Sequence, residues 1–228
     1  MSYIKRTAQV LSVLTLLLVV PLMGKTPGEV QFHILPQSNL TLEGNSTLHK
    51  FSLQAEELNG SLVINKQDYR QNPLQAVTED PQGQVKVPVK QLNSGEKGLD
   101  KNMEKAMAAD QYPEITYHLT GVALVDTTAS DTGWTTFRTT GDLTIHGTTK
   151  SIAMTVKGQQ VNENQLRFKG KKPIKMSDYG VKPPVLMFGA IKTDDTIVVD
   201  FNLLVKANQP LAVLTQPVQN EEHNFALK

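Results

Sequence analysis

The chain has 228 residues, enough for one substantial domain, and all-β barrels of this size are common as single domains. Its 23 basic and 22 acidic side chains leave a formal charge of +1, so the net charge points to neither a nucleic-acid nor an acidic-membrane partner. Cysteine is absent, which excludes disulfides, a thiol nucleophile, thiolate metal sites and lipid attachment at an N-terminal cysteine.

Lys5 and Arg6 precede an apolar run from Val10 to Met23, broken by Pro21 and followed by Gly24 and Lys25. A basic start, roughly 7–15 apolar residues and then small residues is the layout of a secretory signal. A spanning helix wants about 20 apolar residues, so the run is marginal as an anchor. Residues 1–24 are therefore expected to be a signal peptide, with a retained anchor as the alternative, and the protein is expected to be periplasmic or secreted. Leu22 matches poorly the small residue wanted two positions before cleavage at Gly24. Removal of Lys5 and Arg6 with the signal takes the formal charge from +1 to −1.

The barrel domain is expected over residues 28–207. Gly28 to Leu35 reads as a strand with Val30, Phe32 and Ile34 on one face, and a second strand begins near Asn39 with Leu40 and Leu42. Gly44-Asn45-Ser46-Thr47 interrupts the pattern before Leu48 to Ala55, where Phe51, Leu53 and Ala55 share a face. Asn59-Gly60 is a strong turn dipeptide, followed by a strand from Ser61 to Ile64. Gln67 to Gly83 is polar, holds Pro73 and Pro81, and is expected to be loop with some irregular strand. Val85, Val87 and Val89 then alternate with Lys86, Pro88 and Lys90; Pro88 cannot donate to a ladder and marks an edge or bulge.

One stretch has helical rather than period-2 spacing. Leu99, Met103, Ala106 and Met107 recur on one face from Leu99 to Ala109, and Tyr112-Pro113 ends the run. Two to three turns suffice to cover one apolar face. Strand pattern resumes at Ile115 to Leu119 and Val122 to Val125, and again from Trp134 to Ile145. Leu143 and Ile145, then Ile152, Met154 and Val156, alternate with polar neighbours around His146-Gly147-Thr148, where the glycine supplies a tight turn. Gln165 to Phe168, Ile174 to Gly180 and the long alternation of Val199, Phe201, Leu203 and Val205 complete the series, with an extended loop at Val181 to Val185. Residues 208–228 read as a loosely held tail. Eight or more turn-bounded strands, one helix and no βαβ rhythm predict an all-β antiparallel barrel or sandwich.

Four blocks in chain order resemble the YceI-like family of polyisoprenoid-binding barrels. They are Ser46-Thr47-Leu48-His49-Lys50-Phe51 with Gly60, then Tyr112-Pro113-Glu114-Ile115-Thr116-Tyr117, then the hairpin from Gly141-Asp142-Leu143-Thr144-Ile145-His146-Gly147 to Lys150, and finally Ile174 to Pro184 with Met176-Ser177-Asp178-Tyr179-Gly180. The chain departs from the family's Arg-Asp-x-His-Leu stretch, since Leu99-Asp100-Lys101-Asn102-Met103 keeps only the aspartate and the apolar last position. The resemblance implies an extended lipocalin-like barrel of about eight antiparallel strands with one short covering helix. It further implies a non-enzymatic protein holding an isoprenoid or fatty-acyl lipid, with no cofactor. Transient membrane contact and a homo-oligomer are both compatible with it.

The inward residues expected to meet the lipid are Phe51, Leu53, Leu62, Ile64, Val85, Val87, Ile115, Tyr117, Leu143, Ile145, Met154, Val156, Met187, Val199, Phe201 and Leu203. Met103 and Met107 on the helix are expected to cap it, and His49 is the candidate contact for a head group. Taken without the resemblance, the same residues fit a solid core, because small barrels are usually filled.

No catalytic or metal constellation is evident. His33, His49, His118, His146 and His223 show neither His-x-His nor His-Glu-x-x-His spacing. Ser94-Gly95 lacks the flanking glycines of a nucleophile elbow. The rival readings are a hydrolase or isomerase of a small amphiphile, using His49 with Asp178 or Tyr179, and a scaffold or stress protein with a filled core.

Overall fold

The computed structural model describes residues 28–80, 82–126 and 133–208. The segments expected to be a signal peptide and a tail lie outside the described residues, apart from Asn208. The expected alternation becomes thirteen strands: β1 Glu29–Ile34, β2 Asn39–Asn45, β3 Lys50–Ala55, β4 Asn59–Asn65, β5 Gln82–Pro88, β6 Leu92–Asn93, β7 Glu114–Asp126, β8 Thr135–Ile145, β9 Thr148–Asn162, β10 Gln165–Lys175, β11 Val185–Leu186, β12 Ile191–Lys192 and β13 Thr196–Ala207.

Eight of these close a barrel in the order β1-β4-β5-β7-β8-β9-β10-β13, the circle being completed where β13 pairs with β1. Every pairing is antiparallel. The free edge of β13 serves two partners. Residues 205–207 pair with β1, and residues 198–202 pair with β2, which in turn carries β3 and β6. The barrel wall is thereby lengthened on one side beyond the end of β1.

One end of the barrel is closed by a segment that the polar sequence hides. Lys66–Gln71 forms helix α1, started by Asn65, whose side-chain oxygen accepts from the Gln67 amide at 2.9 Å. A 3-10 turn at Ala76–Thr78 follows. Where sequence reasoning expects a loop from Gln67 to Gly83, this segment buries Tyr69, Ala76 and Val77 against Val30, Phe32, Leu62, Ile64, Leu166 and Val205. The Tyr69 ring meets Phe32 edge-on with centroids 5.3 Å apart, and its hydroxyl donates to the Glu163 carbonyl at 2.7 Å. Burial, reinforced by the nearby Glu163 carboxylate, pushes the Tyr69 pKa up to about 12.

The other end carries the predicted helix, α2, over Lys97–Ala106. It stops three residues earlier than its apolar spacing suggests, because Ala108 turns into the left-handed region at φ 45°. Asp100, the one polar survivor of the family stretch, accepts from the Ser94 amide at 2.9 Å and from its hydroxyl at 2.6 Å. Ser94 and Asp100 thus fasten the approach to α2, which explains this serine without a catalytic role.

Two further expectations change. Asn59-Gly60 is not a turn but the first two residues of β4; a side chain at Gly60 would collide with the Gln84 carbonyl and the Ile34 methyl, so the glycine serves close strand approach. The two strands expected at Ile115 and Val122 are one continuous β7, with bulges at Leu119/Gly121 and Leu124/Asp126. At the hairpin between β8 and β9, His146 and Gly147 both take left-handed backbone, φ 51° and 73°, the conformation wanted by a two-residue hairpin turn.

Candidate functional site

The barrel encloses an apolar cavity of about 540 Å³, within the range of natural ligand sites. Its wall is built by period-2 geometry: alternate residues of the long strands point inward. Thus β13 contributes Ile197, Val199, Phe201, Leu203 and Val205, while β9 contributes Ile152, Met154 and Val156. The floor is the buried cluster around Phe32 and Tyr69, with Val77 and Phe168 facing the space above it. At the other end, Leu99, Asn102, Met103, Ala106 and Met107 of α2 and its C-terminus form part of the rim.

Four aromatic rings of the wall pack directly over glycines. A Cβ at Gly44 would overlap the Phe51 ring, and one at Gly141 would overlap the Tyr117 ring and hydroxyl. A Cβ at Gly158 would come within 2.7 Å of Phe137, and one at Gly170 within 2.8 Å of Phe201. Gly44 and Phe51, and likewise Gly170 and Phe201, are direct cross-strand partners. Each glycine provides a recess into which a ring folds, so large aromatics line the barrel without filling it.

Polar groups on the wall are few and mostly engaged. Thr139 is buried and donates to the Met154 carbonyl at 3.3 Å. The Tyr117 hydroxyl is buried close to Thr139 without a well-formed hydrogen bond. Burial raises the Tyr117 pKa, and the Asp142 carboxylate adds to the shift while Thr139 opposes it. Lys172 occupies an inward position of β10, and its ammonium donates to the Ala153 carbonyl at 2.9 Å. That bond spans a seam: β9 and β10 pair only as far as Val156 and Gly170, although β9 continues along β8 and β10 continues along β13. Beyond the seam, the turn at Met176–Tyr179 docks on the β8–β9 hairpin through the Lys150–Asp178 ion pair at 3.2 Å.

Of the residues expected inward, Phe51, Leu53, Leu62, Val85, Val87, Met103, Met107, Ile115, Tyr117, Leu143, Ile145, Met154, Val156, Val199, Phe201 and Leu203 all line the cavity, and His49 stands at its rim. Two do not. Ile64 points inward but is packed in the closed end beneath the floor. Met187 is 71% exposed at the tip of a rim hairpin, where φ of 49° turns it away from the interior. Sequence reasoning passed over Lys172, the wall residues Leu40, Leu42 and Phe137, and the glycine recesses. The recesses carry a readable signal, since an isolated glycine inside a strand marks a close approach.

The histidines are dispersed. His49 Nδ1 bonds the Lys50 carbonyl at 2.8 Å, His33 bonds Asn208 at 2.7 Å, His118 meets Gln84 at 3.2 Å, and the His146 ring packs on Tyr112 with centroids 4.7 Å apart. His223 lies outside the described residues. Among the described residues, no hydrogen bond or ion pair links His49 to Asp178 or Tyr179, and no three His, Asp or Glu side chains converge as a metal site. The Asp178 carboxylate instead faces Lys150, whose ammonium also lies 5.9 Å from the centre of the Tyr179 ring.

Solved structures share this architecture. Burkholderia cenocepacia BcnA is 18% identical with a TM-score of 0.58, covering 73% of this chain and 95% of its own. A polyisoprenoid binding domain from Saccharophagus degradans, implicated in plant cell wall breakdown, is 16% identical with a TM-score of 0.57, covering 77% of this chain and 98% of its own. The Campylobacter jejuni YceI protein is 15% identical with a TM-score of 0.51, covering 68% and 83%. No curated protein matches the chain. The YceI-like domain profile matches residues 36–205, which takes in every strand that walls the cavity except β1 and the last two residues of β13, so the chain belongs to the YceI-like family.

Proposed function

We propose that this protein is an exported, non-enzymatic carrier that holds a long-chain isoprenoid or another amphiphilic lipid by its tail inside the barrel. The observation that carries the reading is a cavity of about 540 Å³ with an apolar wall, a sealed floor and one open rim. A flexible apolar tail gains about 25 cal/mol for each Å² withdrawn from water, less the cost of ordering it. A tail burying roughly 300 Å² would gain about 7.5 kcal/mol before that cost. The glycine recesses support the reading as well, since they keep aromatic rings out of the space a tail would occupy.

The sixteen inward side chains that line the cavity would contact the tail, and His49 at the rim would meet the polar head. The polyisoprenoid binding domain of Saccharophagus degradans, which has the same fold, supports an isoprenoid as the first ligand to try. Catalysis is no part of the proposal: the polar side chains are few and scattered around the wall. The basic and apolar N-terminal segment supports export to the periplasm or beyond.

Native mass spectrometry and lipid extraction of the purified protein test the reading. The expected result is a copurifying long-chain amphiphile in near-stoichiometric amount. Repeated absence of any such chain, together with a side-chain-filled barrel in a crystal, would overturn it.

A further inference from the structure

The rim of the cavity is made by two loops joined to each other. The turn between β2 and β3 meets the hairpin of β11 and β12 through a bridge between Ser46 and Thr193. The Thr47 amide donates to the Lys192 carbonyl at 2.9 Å. The Thr47 hydroxyl donates to the Ala190 carbonyl at 3.2 Å and accepts from the Lys192 amide at 3.1 Å. These bonds make the two loops one structural unit.

That unit turns its largest apolar side chains outward. Phe188 is fully exposed, Met187 is 71% exposed and Leu48 is 66% exposed, with Val185 beside them in the hairpin. The hairpin tip is also conformationally costly, because Met187 and Phe188 both take left-handed backbone, φ 49° and 55°. Glycine, asparagine or aspartate would occupy such positions at little cost, whereas bulky residues there are strained. A methionine and a phenylalanine held in strained backbone and projected into water contribute nothing to this chain's own packing.

The same unit is continuous with the cavity, since Leu48, Pro184, Leu186 and Ile191 line its mouth. The tip of the unit is flanked by Lys50, Lys182 and Lys192, all exposed. The nearest acids, Asp194 and Asp195, follow the Thr193 bridge and are engaged, Asp194 accepting from the Asn45 side-chain amide and Asp195 from Ser177. An apolar tip surrounded by lysines fits a bilayer carrying anionic lipid, into which aromatic and aliphatic residues insert while ammonium groups stay at the head groups. We propose that the rim, led by Phe188, Met187 and Leu48, docks on an anionic lipid surface and brings the cavity mouth to the bilayer. The inference rests on the carrier reading for its purpose, but its geometry is separate from the cavity.

The test uses the full chain carrying Phe188→Trp, with vesicles of phosphatidylcholine alone or mixed with phosphatidylglycerol, and brominated acyl chains as quencher. Emission above the background from Trp134, the single native tryptophan, should shift to the blue and be quenched on anionic vesicles. Because the reporter sits on the rim itself, binding through the apolar N-terminal segment cannot mimic this. Phe188→Gly should weaken vesicle association about 10- to 100-fold, the value of one buried phenylalanine, without reducing thermal stability. Solvent-like, unquenched emission from the bound protein would overturn the proposal. So would self-association abolished by Phe188→Gly without vesicle quenching, which would assign the rim to a second copy. A protein that yields copurified lipid but shows no rim insertion refutes docking alone. One that inserts its rim but never yields a bound chain refutes the carrier reading alone.

Discussion

Replacing Gly141 by alanine adds a single methyl group, yet the structure predicts a loss of stability. The new Cβ would overlap the Tyr117 ring and stand 2.5 Å from the His118 carbonyl oxygen, so both a side chain and the β7 backbone must give way. A glycine replaced at an unstrained position ordinarily stabilises by about 0.4–1 kcal/mol, through the unfolded chain. Overpacking of this kind costs about 1–3 kcal/mol, which decides the sign. For a chain of this length the melting temperature should fall by about 2–12 °C, at roughly 2–4 °C per kcal/mol. Urea denaturation of Gly141→Ala, Tyr117→Leu and the double variant measures how much of the cost belongs to the ring. The penalty should shrink by at least about 1 kcal/mol in the Tyr117→Leu background, since the ring is gone and only the His118 contact remains. Tyr117→Phe is the control and should be close to neutral, because the hydroxyl it removes is buried without a well-formed hydrogen bond. A stabilising Gly141→Ala, or an equal cost with and without the ring, would refute the recess as the reason for this glycine.

Met154→Trp should leave thermal stability nearly unchanged, because the cavity accepts the larger ring, but should abolish copurification of a long-chain lipid in native mass spectrometry. Tyr69 carries its stabilising proton to a pKa of about 12, above its ordinary value near 10. Its contribution is complete below pH ~10 and lost as the pH rises through about 12, so wild-type denaturation curves should show an alkaline decline in that window that Tyr69→Phe flattens. Asp195 is held below the usual carboxylate range by hydrogen bonds from the Ser177 hydroxyl and amide. Its support for the turn after β10 is present above the unfolded carboxylate pKa and disappears as the pH falls through the lowered value. NMR titration should show the Asp195 carboxyl protonating at lower pH than in Ser177→Ala.

The parts of the fold legible in the sequence were those governed by a repeating geometry. In β13, and in β9 from Ile152 to Val156, every second residue is apolar, and the same alternation that marks the strand also selects the side facing the cavity. The plug was hidden for the converse reason: six residues of α1 and three of the following turn are too short to display a period, and Tyr69 is their one large apolar anchor. Asn59-Gly60 misled because the dipeptide favours turns, whereas here the crowding of Ile34 and Gln84 demanded a residue without a side chain. Lys172 was missed because a charged residue at an inward position breaks the alternation that inward positions are read from. It is tolerated because β9 and β10 part there, leaving the Ala153 carbonyl for its ammonium. Met187 follows the apolar rule in composition but sits on a hairpin tip, where left-handed backbone rather than hydrophobicity sets its direction.

The plug of Phe32, Tyr69 and Val77 gives the interior a fixed depth. On the carrier reading proposed above, a chain admitted at the rim would advance only until it met Val77 and Phe168, after which each further carbon would have to fold back or remain in water. The barrel would in that respect be a gauge: its floor would convert tail length into affinity, with the steepest gain up to the length that just reaches the plug and little beyond. Trimming the floor, for example at Phe168, would then reset the gauge to longer chains without touching the rim.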